Sequence, residues 1–437
     1  MRKMKDSGIE WIGYIPEDGM LIPLKYLCKV PITDGTHNTP EYDDSIKGCP
    51  FLSSKDIKDG YINWNDIKYI TPELHKILQK EVSPKRNDIL LAKNGTTGIA
   101  ALVDTDKIFD IYVTLAVIKP NLEMILPHYL LYTINSFLAK KQFNEHLIGI
   151  GVPNLHLNVI NNTKIIIYDI KKQQRIVEYL DKKCTSIDSI IDKEQKLIEN
   201  LKEYKQSLIT ETVTKGLNPD APMKDSGIEW IGDIPEHWEM TNVSKLYNVI
   251  LGKMLCTYPL SNEDTLENYL CAANIKFEKI KTTEIKKMYF NEKEKNLYLL
   301  KYNDVVISEG GDAGTVSIYR NEFYPCYIQN AVHKVTTINS SKNINKFLYY
   351  WMYFCKNIGY VDLICNKATI MHYTKDKLSK TPILSLPFEE QKQIADYLDE
   401  KCAKIDENIS KRQALIEKLN EYKKSLIYEV VTGKIEV

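Results

Sequence analysis

Two short loops hold the side chains best suited to chemistry. Asp34-Gly35-Thr36-His37-Asn38-Thr39-Pro40 gathers hydroxyls, an amide and an imidazole; Lys93-Asn94-Gly95-Thr96-Thr97-Gly98 sits between two strand-like apolar runs. Glycine frees backbone N–H groups, and Thr and Lys beside them are the groups that hold phosphate oxygens, while Asn, Gln and Lys can read base edges. A plain β-turn uses the same residue types, so the loops alone leave both readings open.

Bond-making chemistry is harder to find. The sequence has no GxxxxGK[ST] phosphate loop, and Gly149-Ile150-Gly151 runs into Val152-Pro153-Asn154 without the third glycine of a dinucleotide fingerprint. The Asn-Pro-Pro-Tyr and Asp-Pro-Pro-Tyr tetrapeptides that seat a target amine, the Gly-x-Ser-x-Gly elbow and HExxH are all missing. His75, His128, His146 and His156 stand alone, and Glu292-Lys293-Glu294-Lys295 reads as a solvated charge run. Nine scattered cysteines without a CxxC pair argue against a zinc site or disulfide framework and for reduced intracellular thiols. The residues point to a chain that binds and does not catalyse.

The elements that must position those loops follow from a duplication. Residues 4–18, MKDSGIEWIGYIPED, return at 223–237 as MKDSGIEWIGDIPEH, with 13 of 15 positions identical at an offset of 219. A 42-residue segment from Gln173 returns from Gln391 with 25 identities at an offset of 218, and NDILLAKNGTTG from Asn87 returns more weakly as NDVVISEGGDAG from Asn303. A period this long is no solenoid, so each half is a domain plus an appendage.

The appendages read as long helices. Leu180, Ile187, Leu201 and Leu208 recur at heptad spacing, as do Ile176, Ile190, Leu197 and Tyr204 and, in the second copy, Leu398, Ile405, Leu419 and Leu426, and Val177, Cys184, Ile191 and Ile198 widen the first stripe. Neither segment contains Gly or Pro, and about 40 residues make a rod of roughly 60 Å. Such a stripe needs a partner, either a second chain, which would make the rods a dimerisation device, or the other copy in the same chain, which closes most simply as an antiparallel coiled coil with pseudo-two-fold symmetry. The expected fold is α+β: two small mixed α/β domains joined by two long helices. Boundaries fall at 1–170 (first domain), 171–216 (first helix), 217–385 (second domain) and 386–437 (second helix). Within the domains, DIYVTLAVIK (110–119) reads as one apolar β run, and residues 128–143 and 344–358 read as one buried helix each.

With 437 residues, 58 Lys+Arg against 58 Asp+Glu and 43% apolar residues, the chain is ordinary globular protein with no run long enough to span a membrane. The N-terminus lacks a signal-peptide pattern, so a cytoplasmic location is expected. Charge by region is even over 20–170 and roughly +5 over 239–385. Of five arginines only Arg86 and Arg320 lie in the variable regions, so Lys, Asn and Gln would have to do much of any base reading. Those features suit equally a coiled-coil adaptor that reads no DNA.

Gly8-Ile9-Glu10-Trp11-Ile12-Gly13 with Ile15-Pro16, its copy ending Ile234-Pro235-Glu236-His237-Trp238, the Asp34-Gly35-Thr36-His37 loop and the entry Leu386-Pro387-Phe388-Glu389-Glu390-Gln391 together resemble the specificity subunit of type I restriction–modification systems over essentially the full length. The first half departs where Tyr168-Asp169-Ile170 lacks the proline, and at Gly19 where the second half has Trp238. The resemblance implies two target recognition domains, each reading half of a bipartite asymmetric site in double-stranded DNA. It implies helices that set the unread spacer and bind methyltransferase (modification) subunits, two in number, with restriction/translocase subunits beyond. S-adenosylmethionine, ATP and Mg would belong to those partners, leaving this chain no cofactor, no metal and no catalytic residue. The DNA-contacting candidates are then Thr36, His37, Asn38, Lys93, Asn94 and Thr96 in the first domain. In the second they are Lys276, Gln329, Asn330 and Lys367, chosen on side-chain chemistry and position in loops or strand ends.

Overall fold

The computed structural model describes residues 3–43, 48–146, 154–277, 279–365 and 371–437. They fall into two compact units, Met1–Gln195 with Gln413–Val437, and Lys196–Arg412.

In the first unit the duplicated opener makes a small antiparallel hairpin, Met4–Asp6 with Tyr14–Pro16. Strand Met20–Pro23 pairs with Lys164–Ile167, the strand that leads into the long helix. Between them a four-stranded sheet runs in the order Thr33–Asp34, Leu115–Ile118, Ile89–Ala92, Ala100–Leu102. A second sheet sets Cys49–Leu52 between Lys68–Ile70, antiparallel, and Asp110–Ile111, parallel. Strand alternation splits the four-stranded sheet between two cores: Ile89 and Leu91 pack with the helices, Leu90 and Ala92 with the second sheet. The expected single run at 110–119 is in fact two strands broken by the turn Tyr112–Thr114, because its ends belong to different sheets. The helix expected over 128–143 is also broken, into Pro127–Asn135 and Phe137–Glu145. Ser136 ends the first by donating its hydroxyl to Thr133 O (2.7 Å) and caps the second by accepting from Leu138 N (3.2 Å).

The second unit repeats this plan on its own residues. Met223–Asp225 pairs with Asp233–Pro235, and Glu239–Asn242 with Pro382–Ser385. Its four-stranded sheet has the order Tyr247–Leu251, Val332–Thr337, Val305–Ser308, Val316–Ile318, and its second sheet the order Lys286–Phe290, Thr265–Leu270, Tyr327–Ile328. Here one helix, Asn345–Asn357, fills the core with Phe347, Trp351 and Phe354.

The long helices span Ile170–Lys215 and Phe388–Val431. In the first unit Tyr168, just before one helix, meets Val431 at the end of the other, and further along Asp188 accepts from Lys423 Nζ at 2.7 Å. In the second unit Lys205 Nζ donates to Asp406 at 2.7 Å, and Ile209 and Val213 share a core with Leu398 and Ile394. Each unit therefore packs helical segments antiparallel, and the two ion pairs are equivalent at the 218-residue offset.

Burial along the helices corrects the heptad assignment. Leu180, Ile187, Leu398, Ile405 and Leu426 are buried as expected, but Leu201, Leu208 and Leu419 are only half-buried. The covered line steps by eleven, through Ile187, Ile198 and Ile209 and through Ile405 and Ile416. A straight α-helix drifts about 20° per heptad, so an 11-residue step stays on one face where a 7-residue step rotates off it. Ile190, Leu197, Tyr204, Leu415 and Tyr422 are exposed.

Both departures at the helix entries are compensated. Where the first half lacks proline, Asp169 Oδ1 accepts from Lys172 N at 3.0 Å and caps the helix itself. At Gly19 a Cβ would stand 3.0 Å from the Tyr168 ring; in the second unit that room is taken by buried Trp238, and the counterpart of Tyr168 is the smaller Leu386.

Candidate nucleic-acid interface

The two polar loops singled out above meet at one end of the first unit's four-stranded sheet. Gly35 and Thr36 form a parallel bridge to the turn at Ile111–Tyr112: Thr36 N donates to Ile111 O (3.2 Å) and Val113 N to Thr36 O (3.0 Å). Only glycine permits this approach, since a Cβ on Gly35 would lie 2.1 Å from Ile111 O. The Lys93 backbone is fixed from two sides, its N donating to Thr114 O and its O accepting from Leu155 N, both at 2.8 Å. Gly98 N then closes the Lys93–Thr97 turn on Ala92 O at 2.8 Å.

On this frame the exposed candidates are His37, Asn38 and Thr96. His37 Nε2 lies 3.3 Å from Asp34 Oδ1, Asn38 N donates to Thr36 Oγ1 at 3.3 Å, and Thr96 Oγ1 donates to Ser54 O at 3.0 Å. Asn94 is half-buried, bridged to Asn154. Lys93 is different from what its loop position suggested. Its side chain is buried and its ammonium is ion-paired with Asp34, so it braces the loop and is not displayed. A buried pair of this kind makes loss of one partner expensive, because the other charge is left uncompensated.

The second unit builds the same frame from different residues. Lys253 N donates to Ile328 O (3.0 Å) and Asn330 N to Lys253 O (2.8 Å), and a Cβ on Gly252 would lie 2.5 Å from Gln329 O. Glu309, the counterpart of Lys93, donates its N to Ala331 O (2.9 Å) and receives Tyr373 N on its O (2.7 Å), and Gly314 N closes on Ser308 O (2.9 Å). Gln329 and Asn330 thus stand opposite Lys253, with their side-chain amides hydrogen-bonded to one another. Lys276 is exposed on the strand Ile275–Lys276, outside this bridge, and Lys367 lies outside the described residues.

The side chains on the two frames contrast sharply. Thr36 becomes Lys253, whose ammonium pairs with Glu294 and lies 5.3 Å from the Phe290 ring centre. Lys93 becomes Glu309, whose carboxyl is pushed up from the usual range by burial and held back by nearby His372. Ala116 becomes His333, fully buried in the sheet with Nε2 2.8 Å from Tyr373 O. The sequence reading missed Lys253 and Glu309. The single shared glycine, Gly35 with Gly252, was the signal available for the first, and the weak Asn87/Asn303 match for the second.

His333 gives the second unit a pH dependence. Burial pushes its pKa down to about 4, against an unfolded value near 6.5, so the fold holds it neutral. As pH falls from about 6.5 toward 4 the unfolded chain takes up a proton that the folded unit refuses, and stability drops with acid. Urea unfolding should show about 2 kcal/mol lost between pH 7.5 and pH 5 from this group. The His333→Leu variant should lack that component; equal slopes for both proteins would contradict a buried neutral imidazole.

Among the described residues no group of three or more His, Cys, Asp or Glu could hold a metal ion, and no helix is long and apolar enough to cross a membrane. The nine cysteines are free thiols.

A family described as the type I restriction modification DNA specificity domain matches residues 24–203 and 235–418, one domain in each half of the sequence. The chain is 26% identical to a putative type I restriction enzyme MjaX specificity subunit of Methanocaldococcus jannaschii, covering 98% of this chain and 96% of that one. It is 25% identical to the type I restriction enzyme MjaVIII specificity subunit of the same organism, over 97% and 94%. Its fold is similar to a chain from a structure addressing complex assembly and conformational transition of the type I R-M system, with a TM-score of 0.71, 17% identity and coverage of 96% and 99%. It is similar too to the HsdS subunit from Thermoanaerobacter tengcongensis, with a TM-score of 0.52, 17% identity and coverage of 96% and 98%. With both halves matched, a recurring frame in each unit and relatives aligned almost end to end, the chain belongs to the family of type I restriction–modification DNA specificity subunits.

Proposed function

We propose that each unit reads one half of a bipartite, asymmetric double-stranded DNA site through the loops on its bridged frame. The observation that carries this reading is one backbone frame built twice and bearing different side chains: polar Thr36, His37, Asn38 and Thr96 in one unit, and half-buried Gln329 and Asn330 beside a buried, ion-paired Lys253 in the other. A scaffold kept constant while its presented groups change is what two different half-sites require, since base-edge contacts specify and phosphate contacts position. The DNA specificity match in both halves disfavours an adaptor that reads no DNA.

In this reading the chain does no bond chemistry. Two methyltransferase subunits carry S-adenosylmethionine, and restriction/translocase subunits carry ATP and Mg. Exposed apolar pairs at heptad spacing, Leu415 with Tyr422 in the first unit and Leu197 with Tyr204 in the second, equivalent at the 218-residue offset, support partner docking on the long helices. The test is selection of DNA from a randomised pool by the chain assembled with its methyltransferase subunits at physiological salt. Two fixed sequence blocks separated by a constant-length unread gap are expected; recovery of no sequence preference would sink the reading.

A further inference from the structure

The loop after Gly252-Lys253 in the second unit has a property its counterpart lacks. Met254, Leu255, Tyr258 and Leu260 are 75%, 56%, 66% and 71% exposed, whereas the first unit follows Gly35-Thr36 with His37, Asn38 and Thr39, and among the described residues of that loop Tyr42 is the one large apolar side chain exposed. The loop is not a loose segment. It is tied at its root by the Lys253 bridge to Ile328 and Asn330, in its middle by Tyr289 N donating to Cys256 O (2.9 Å), and at its far end by Asp264, which accepts from Leu260 N (2.7 Å) and from Ser261 Oγ (2.8 Å). An anchored loop holding four large apolar side chains in water is unfavourable unless a partner covers them.

Two observations say what covers them. The loop grows directly from the bridged frame, so it is continuous with the candidate interface. The strand that hydrogen-bonds to it at Tyr289 carries exposed Lys286 and Lys287 toward its other end. Apolar tips joined to a strand that carries exposed lysines suit a duplex, whose bases offer thymine methyls and ring faces between rows of phosphates.

We infer that Met254, Leu255, Tyr258 and Leu260 form an apolar finger that enters the DNA groove and reads the second unit's half-site by contact with base methyls and faces, while Lys286 and Lys287 hold the flanking phosphates. The inference rests on the DNA-reading function proposed above and adds to it that the second unit brings apolar contact beside the polar Gln329 and Asn330, where the first unit offers polar loop groups at the matching place.

The experiment uses the full chain assembled with its methyltransferase subunits, and DNA carrying the selected site. A Met254→Ser, Leu255→Ser, Leu260→Ser triple variant changes only exposed side chains. It should lose roughly 10–100-fold in affinity for that site and select DNA in which the second half-site is degenerate and the first intact. Its binding to random DNA and its salt dependence should match those of the parent. The Lys286→Ala, Lys287→Ala pair should instead weaken all sequences alike and lower the salt slope by about two. Parent-like affinity and an intact second half-site in the triple variant, with its fold confirmed by circular dichroism, would overturn the inference. If the parent itself selects no sequence, it is the DNA-reading function that has failed.

Discussion

Alanine at Gly35 should cost the first unit about 2–4 kcal/mol and abolish its recognition of DNA, and alanine at Gly252 should do the same to the second. The cause is geometric. The new Cβ would stand 2.1 Å from Ile111 O or 2.5 Å from Gln329 O, and backbone cannot rotate away as a side chain can. The parallel bridge must open, and with it go the bonds that place Thr36 and His37 in one unit and Gln329 and Asn330 in the other. Urea unfolding measures the first effect and site selection the second. A Gly35→Ala protein of parental stability that still selects both blocks would show that the bridge is dispensable.

The second large effect is expected at the helix entries. Gln173 is fully buried; its Nε2 donates to Tyr168 O (2.8 Å) and Met124 O (2.9 Å), and its Oε1 accepts from Leu126 N (2.9 Å). Gln391 repeats this with Leu386 O (2.9 Å), Lys342 O (3.0 Å) and Ile344 N (3.1 Å). One buried side chain thus ties a long helix to its unit by three bonds, one of them fully buried. Leucine of similar size would fill the space but leave one buried carbonyl and two part-buried backbone groups without this partner, the buried one at about 1–3 kcal/mol before relaxation. Gln173→Leu and Gln391→Leu should each destabilise their own unit by about 2–4 kcal/mol, with similar values because the geometry is shared. A loss under about 1 kcal/mol in either would mean that the buried carbonyls find other donors.

The parts legible in the sequence were those the chain states twice. The opener hairpin and the Gln-led helices are duplicated with high identity, and the helical pattern lacks Gly and Pro over the segments that the structure shows as Ile170–Lys215 and Phe388–Val431. What stayed hidden depends on packing. The break at Ser136 needs a hydroxyl to serve two helices at once, which reads the same as a mid-helix serine. Lys93 looks like a loop lysine until Asp34, 59 residues away, is brought beside it by the sheet. The eleven-residue seam hides because leucines at heptad spacing are also present, and a helix of more than 40 residues rotates them gradually off the contact line. The match of Gly35 with Gly252 rests on one residue in an otherwise dissimilar stretch, and only the repeated bridge makes it meaningful.

The central idea is that equal frames present unequal letters to DNA, each unit acting for itself. The most direct measurement replaces His37, Asn38 and Thr96 together by alanine in the assembled complex and sequences the DNA it then selects. An intact second block, an unchanged gap and a blurred first block are the expected outcome. Blurring of both blocks together, or of neither, would contradict it.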